Sequence, residues 1–131
     1  MALFCYSYGM EAFEIWEDPE SKVRFYFSHS SQEFTTGVMV IPAEKALPKH
    51  NRPLAIENLV QVSGKCRMEV FGENDESSEH ILNVGDKLSM DKGQYHIHSN
   101  PFNETSCTLF KAVGDITNIV EAVRNSFTRI T

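Results

Sequence analysis

The sequence predicts one all-β domain, a sandwich or barrel of short strands that ends in a single helix. Three observations predict this fold. The chain has 131 residues, the usual size of one domain. Short runs of β-forming residues alternate with turn residues at fairly even spacing, as in sandwiches and barrels. Only the last segment, residues 115–128, changes from a strand period to a helical one.

Eight runs carry the strand pattern: 23–27, 37–41, 57–62, 65–71, 81–84, 87–90, 95–99 and 108–112. The clearest is 65–71, where Cys66, Met68 and Val70 alternate with charged residues, which is typical of a strand with one buried face. Ser63-Gly64, just before it, predicts a two-residue hairpin turn. The acidic stretch 72–79 after it predicts a solvated hairpin loop.

Residues 1–22 differ from the rest of the chain. They mix aromatic and acidic residues and end near Asp18-Pro19. We interpret them as an N-terminal arm whose apolar side chains, such as Trp16, lie on the body of the domain. Residues 23–131 then form the domain itself, including the C-terminal helix.

The helix 115–128 is predicted from a cap and an apolar stripe. Asp115 can accept hydrogen bonds from the first free backbone N–H groups. The stripe follows a spacing of three and four residues, which places its members on one face; they are Ile116, Ile119, Val120, Val123 and Phe127. The stripe can pack on the domain's own sheet, or it can form a surface for a second subunit or another partner.

Charge and cysteine content exclude several classes of function. The net charge of −6 argues against contact with nucleic-acid phosphates or anionic membranes. The three cysteines are Cys5, Cys66 and Cys107, an odd number without a CxxC pair, so we expect a reducing compartment and buried thiols in the strands. No stretch has the length or composition expected of a signal peptide or a membrane span.

The segment 44–64 matches part of the motif G-x5-H-x-H-x3–4-E-x6-G. His50, Glu57 and Gly64 stand at the required positions. Glu44 replaces the opening glycine, and Arg52 replaces the second histidine.

The segment 85–100 matches a second motif, G-x5-P-x-G-x2-H-x3-N. Gly85, Gly93, His96 and Asn100 match it, and Asp91 replaces the proline. Together the two segments match seven of ten motif positions, with 20 residues between them.

This pair of motifs resembles the cupin superfamily over residues 37–112. The resemblance implies a double-stranded β-helix, or jelly roll. Gly64, Gly85 and Gly93 would then stand where strands reverse, at turns that often need positive φ.

In metal-binding cupins, which the motifs resemble, three histidines and a glutamate point into the barrel and hold one transition metal. His50, Glu57 and His96 match that set. Arg52 cannot replace the fourth ligand, because a guanidinium offers no lone pair. His98 faces the same side of its strand as His96 and could replace it. One alternative is therefore an Fe, Mn, Zn or Ni ion on these four residues. The other is no metal and no cofactor, with Arg52 paired to Glu57.

Where the sequence departs from the pattern of cupin enzymes, it resembles the C-terminal cupin domain of the centromere protein C family. The segments that carry this resemblance are 37–42, 48–52, 63–65 and 93–100, although in the last only Gly93 and Asn100 match in register. The resemblance implies a non-enzymatic module of a kinetochore scaffold in the nucleus, at the centromere. Such a module forms homodimers, raises valency and recruits a centromere or kinetochore assembly protein, without contacting nucleic acid or membrane directly.

Two alternatives belong to other classes. The chain can be a metal-dependent cupin enzyme, a dioxygenase or isomerase in the cytoplasm, in which Arg52 holds a substrate carboxylate bidentately. It can also be a metal-free sensor that binds a small ligand in the barrel. Because the serines lack a His–Asp partner pattern and no phosphate-binding loop is present, no other catalytic class is predicted.

Overall fold

The computed structural model describes residues 13–131, apart from the side chain of Asp75. Within these residues there are eleven strands and one α-helix, α1, at Thr117–Ser126. The strands are β1 Glu14–Glu17, β2 Arg24–Ser30, β3 Phe34–Ile41, β4 Lys45–Ala46, β5 Ala55–Ser63, β6 Cys66–Phe71, β7 Ser77–Leu82, β8 Lys87–Met90, β9 His96–Asn100, β10 Ser106–Gly114 and β11 Thr128–Arg129. Each of the eight predicted runs corresponds to one of these strands.

The strands form two antiparallel sheets that enclose one core. The larger sheet has the order β11-β1-β2-β3-β10-β5-β8, and the smaller has the order β4-β9-β6-β7. Leu59 of the larger sheet and Met68 of the smaller belong to the same buried cluster. Burying a side chain such as Leu59, which is 1% exposed, stabilises the fold by about 1.5–3 kcal/mol. The described chain is therefore a two-layered jelly roll, as predicted.

The predicted hairpin at Ser63-Gly64 is wrong. Strand β5 pairs with β10 and β8, whereas β6 pairs with β7 and β9, so this turn carries the chain from one sheet to the other. The turn still requires glycine. Gly64 has a φ of +66°, and a Cβ there would lie 2.2 Å from the carbonyl oxygen of Thr105. Gly85 and Gly93 also have the expected positive φ.

The smaller sheet follows its predicted pattern. In β6 the side chains of Cys66, Met68 and Val70 are buried, and the intervening ones face outward. Strands β6 and β7 form a hairpin whose innermost pair is Phe71 with Ser77, so the acidic loop is shorter than residues 72–79. Cys107, the other cysteine predicted to be buried, is also inside the domain, whereas Cys5 lies outside the described residues.

The N-terminal arm 1–22 is described only in part, because residues 1–12 lie outside the described residues. Strand β1 lies between β2 and the short edge strand β11, so it is not itself the edge element that the sequence suggested. Trp16 pairs in register with Phe25 on one side and Arg129 on the other. The arm is thereby joined to the last residues of the chain.

Helix α1 begins and ends two residues inside the range predicted for it. The carboxylate of Asp115 accepts a hydrogen bond from the backbone N–H of Thr117 at 2.9 Å. The N-cap residue is Ile116, which has no side-chain cap, so Asp115 lies one residue before the position predicted for it. Within the described residues no helix has the length and apolar character needed to cross a bilayer.

The apolar stripe of α1 faces the chain's own barrel. Ile116 and Val120 are buried, with 6% and 1% of their surface exposed. Ile119 and Val123 pack against the same core, and the ring of Phe127 lies 5.8 Å from that of Phe25. The stripe predicted as a possible partner surface is thus covered within a single chain.

Candidate metal centre

Four side chains that could ligate a metal meet between the two sheets: His50, Glu57, His96 and His98. Glu57 comes from β5 in the larger sheet, and the last two histidines come from β9 in the smaller. His96 and His98 are two residues apart on one strand, so they share a face. His50 lies between β4 and β5. Reciprocal backbone hydrogen bonds of 3.0 and 2.8 Å between His50 and His96 fix its position.

Glu57 lies at the centre of this group. Its Oε2 is 3.0 Å from Nε2 of His96, and its Oε1 is 3.4 Å from Nε2 of His98. The ring of His50 lies 4.4 Å from that of His96 and 5.2 Å from that of His98. One ligand atom from each of the four side chains lies within 4.8 Å of all the others. A single ion bound at about 2.0–2.2 Å from each atom fits a group of this size.

Backbone carbonyls fix which nitrogen of two imidazoles faces the centre. Nδ1 of His50 donates to the carbonyl oxygen of Pro48, and Nδ1 of His96 donates to that of Gln94, both at 2.8 Å. A carbonyl only accepts, so in each neutral ring the hydrogen is on Nδ1 and Nε2 presents a lone pair. A hydrogen bond of this kind on the far nitrogen is the usual way in which proteins orient a metal-ligating histidine.

Two buried imidazole nitrogens of the centre, Nε2 of His50 and Nδ1 of His98, have no hydrogen-bond partner within the described part of the chain. Nε2 of His96 faces the oxygen of Glu57, and two lone pairs at 3.0 Å repel each other unless a proton or a metal cation lies between them. The donor set therefore fits a cation.

Burial and neighbouring charges shift the pKa values of the side chains in the centre. Burial, together with Arg52, His98 and His96, lowers the pKa of His50 to about 3. Burial also lowers the pKa of His98. Burial alone would raise the pKa of Glu57, but hydrogen bonds from His96 and His98 lower it well below its usual value. His50 and His98 are therefore neutral at pH 7 and Glu57 is ionised, which are the forms that can bind a cation.

Arg52 lies beside the centre but does not occupy the ligand position that its place in the motif suggested. Its Nη1 donates to the carbonyl oxygen of Asn51 at 3.1 Å. Among the described residues no carboxylate forms an ion pair with Arg52, so the predicted pairing with Glu57 is not present. Burial lowers the pKa of Arg52, yet a guanidinium keeps its charge at any physiological pH.

A cavity of about 40 Å³ lies between this centre and helix α1. Its polar lining consists of His50, Arg52, Glu57 and His98, and the rest of its lining is apolar. The apolar side includes Phe25, Phe27 and Phe110 from the larger sheet and Ile119, Val120 and Val123 from the helix. The sequence analysis did not predict this apolar side of the cavity, although three of the six residues belong to the apolar stripe that it predicted on the helix.

The sequence predicted the members of the centre better than their arrangement. The substitution of His98 for the missing histidine was left open, and the structure brings His98 to the carboxylate of Glu57. Arg52 was expected either to pair with Glu57 or to hold a ligand. The structure leaves its guanidinium on the cavity wall.

No protein-family model and no curated protein matches this sequence. Solved structures do match. The cupin domain of Drosophila melanogaster CENP-C superposes with a TM-score of 0.67 and 16% identity, over 76% of this chain and 72% of that one. A second CENP-C structure from that organism, bound to CAL1, matches with a TM-score of 0.65 and the same identity, over 74% of this chain and 79% of that one.

Proteins with enzyme names match as well. KdgF from Halomonas sp. superposes with a TM-score of 0.67 and 12% identity, over 79% of this chain and 91% of that one. Oxalate oxidase matches with a TM-score of 0.60 and 13% identity over 63% of this chain, which spans only 42% of the oxidase chain. At these identities the likeness establishes the architecture and not the activity. The described part of this chain is therefore a cupin-fold domain that resembles both the CENP-C cupin and enzymatic cupins.

Proposed function

We propose that this chain is a metal-dependent cupin that binds one first-row transition ion and acts on a small organic acid. One observation carries the proposal: four ligand atoms converge within 4.8 Å between the sheets, on His50, Glu57, His96 and His98. A barrel that served only as a scaffold would gain stability from apolar residues at these positions, because buried polar groups without partners cost free energy.

The donor set selects the class of ion. Three imidazoles and one carboxylate suit Fe, Mn, Zn or Ni, whereas Ca²⁺ and Mg²⁺ prefer oxygen ligands. Four protein ligands leave positions open for substrate on an ion that accepts five or six. Such an ion, when bound, would supply Lewis-acid or redox chemistry of the isomerase or dioxygenase type.

Charge balance supports an anionic substrate. A divalent ion and Arg52 carry three positive charges, and Glu57 neutralises only one of them. Two uncompensated positive charges in a low-dielectric cavity are costly. A carboxylate that contacts both the ion and the guanidinium would offset them. In this role Arg52 orients the acid through two parallel hydrogen bonds, and Glu57 helps to hold the ion.

The test is the metal content of the purified protein. The protein is prepared without a metal-binding tag, and its metals are measured by mass spectrometry. We expect about one Fe, Mn, Zn or Ni per chain, lost in His96→Gln and His98→Gln but retained in the matched control His80→Gln, which changes an exposed histidine on β7. Absence of stoichiometric metal after incubation with each of these ions would overturn the proposal.

A second candidate function is a homodimeric, protein-binding module at a centromere. The superposition with the CENP-C cupin, at a TM-score of 0.67, supports this candidate. An exposed apolar patch on the larger sheet also supports it, since Leu109 and Val113 on β10 are 40% and 45% exposed. The candidate predicts a dimer that dissociates in Leu109→Asp, together with a centromeric signal from a fluorescent fusion. A monomer without that signal would exclude it.

A further inference from the structure

We propose that the cavity beside the metal centre selects a short-chain monocarboxylate whose body is apolar, in preference to a hydroxylated acid of the same size. This inference rests on the metal-dependent function proposed above and adds the chemical class of the substrate. It follows from the asymmetry of the cavity lining.

One side of the cavity recognises an anion. Arg52 is the cationic side chain there, and none of the described carboxylates pairs with it. His50, Glu57 and His98 are committed to the metal in the proposed function. The guanidinium and the ion therefore engage the carboxylate, and no further polar side chain lines the described part of the cavity to receive a second polar group.

The opposite side is apolar throughout. Aromatic rings from β2 and β10 face the aliphatic stripe of helix α1, where Ile119 and Val123 form the wall. A substrate hydroxyl placed against this wall loses its hydrogen bonds to water and gains none from side chains. A methyl group at the same place removes apolar surface from water instead.

The volume limits the size of the acid. A cavity of this kind needs about 10–15 Å³ to hold one water, so 40 Å³ holds about three. A carboxylate alone has three non-hydrogen atoms and Arg52 lines the same cavity, so the volume favours acids with the shortest chains. Long fatty acids and aromatic acids exceed it far more than propionate or butyrate does.

The test uses protein loaded with Co²⁺, whose visible absorption changes when a ligand joins the metal. The cobalt content is quantified first, and the protein is then titrated with butyrate and with 3-hydroxypropionate, which have the same number of non-hydrogen atoms. We expect butyrate to bind at least about tenfold more tightly. Chelation through the hydroxyl would favour the other acid, so a preference for butyrate cannot arise from the metal alone.

A pair of isosteric variants locates the source of the preference. Val123→Thr adds a hydroxyl to the wall, and Val113→Thr makes the same change on an exposed residue of the outer sheet face. We expect the preference for butyrate to narrow at least about threefold in Val123→Thr and to stay unchanged in Val113→Thr.

The outcomes separate the two proposals. Stoichiometric cobalt with equal or tighter binding of 3-hydroxypropionate overturns the apolar-acid inference and leaves the metal centre standing. Stoichiometric cobalt with no spectral response to either acid also overturns the inference. Failure to bind cobalt or any of the four native candidates overturns the proposed function, and this inference with it.

Discussion

Nε2 of His96 lies 3.0 Å from Oε2 of Glu57, although the two residues are 39 positions apart and belong to different sheets. Because Nδ1 of His96 already donates to the carbonyl of Gln94, Nε2 and Oε2 approach this closely only with a proton or a cation between them. A metal ion bound there would take the place of that proton.

Metal binding should therefore release a proton, because the ion displaces the one that lies between Nε2 of His96 and Oε2 of Glu57. The measurement is calorimetric titration of metal-free protein with Zn²⁺ in two buffers of different ionisation enthalpy. Metal uptake with no difference between the buffers would show that no proton lies between these two atoms in the metal-free centre.

The stability of the metal-free protein should fall as the pH falls below about 6.5. The folded pKa of His50 is about 3, below its ordinary value of 6.5, so the unfolded state binds more protons in this range. The lowered pKa values of His98 and Glu57 act in the same direction. The contribution of His50 is complete above pH 6.5 and is lost progressively towards pH 3.

Urea unfolding in the presence of a chelator, from pH 7.5 to 4.5, measures this dependence. His50→Gln should reduce the slope of the unfolding free energy against pH, because the side chain no longer titrates. The exposed histidine of β7 supplies the control, and His80→Gln should leave the slope unchanged. An equal slope in both variants and in the parent protein would contradict the lowered pKa of His50.

Local periodicity predicted what depends on a single strand or helix. The alternation along β6 and the spacing of Ile116 and Val120 both place side chains on one face, and the structure buries those faces. The same period of two predicted that His98 shares a face with His96, which is why it could be named as a replacement ligand.

Relations between sheets could not be predicted in this way. Ser63-Gly64 has the composition of a hairpin turn, but the two strands it joins pair with other strands and not with each other. The sequence also could not predict whether the side chain of Arg52 or that of His98 reaches Glu57. This depends on how deep each side chain lies in the barrel, which no local pattern encodes.

An ion pair joins helix α1 to strand β1 of the arm. Removal of this ion pair should increase local opening of the helix. Nε and Nη2 of Arg124 donate to the two carboxylate oxygens of Glu14, at 2.5 and 2.9 Å. The pair is partly exposed, so Arg124→Gln should lower the free energy of unfolding by only about 0.5–1 kcal/mol. Hydrogen exchange in residues 117–126 should rise more than in β6, since β6 is covered on both edges.

Glu121 provides the matched control for that prediction. It pairs with the same arginine, but its side chain is 60% exposed. Glu121→Gln should change stability by less than about 0.5 kcal/mol, because pairs at such exposure contribute little. Similar exchange rates in Arg124→Gln and Glu121→Gln would show that the contact with Glu14 does not hold the helix.

The turn at Ser63-Gly64, which joins the two sheets, should not tolerate a side chain at Gly64. Alanine variants of Gly64 and Gly85 can distinguish backbone strain from steric collision as the reason. Gly64 and Gly85 both have positive φ, so alanine at either position is strained by about 1–2 kcal/mol. Only at Gly64 does the added Cβ also collide with backbone, at the carbonyl oxygen of Thr105; nothing lies within 4 Å at Gly85. Gly64→Ala should therefore destabilise the domain by more than about 3 kcal/mol and Gly85→Ala by about 1–2 kcal/mol in urea unfolding. Equal losses would mean that the backbone conformation alone, and not the close approach of β10, requires glycine where the chain crosses between sheets.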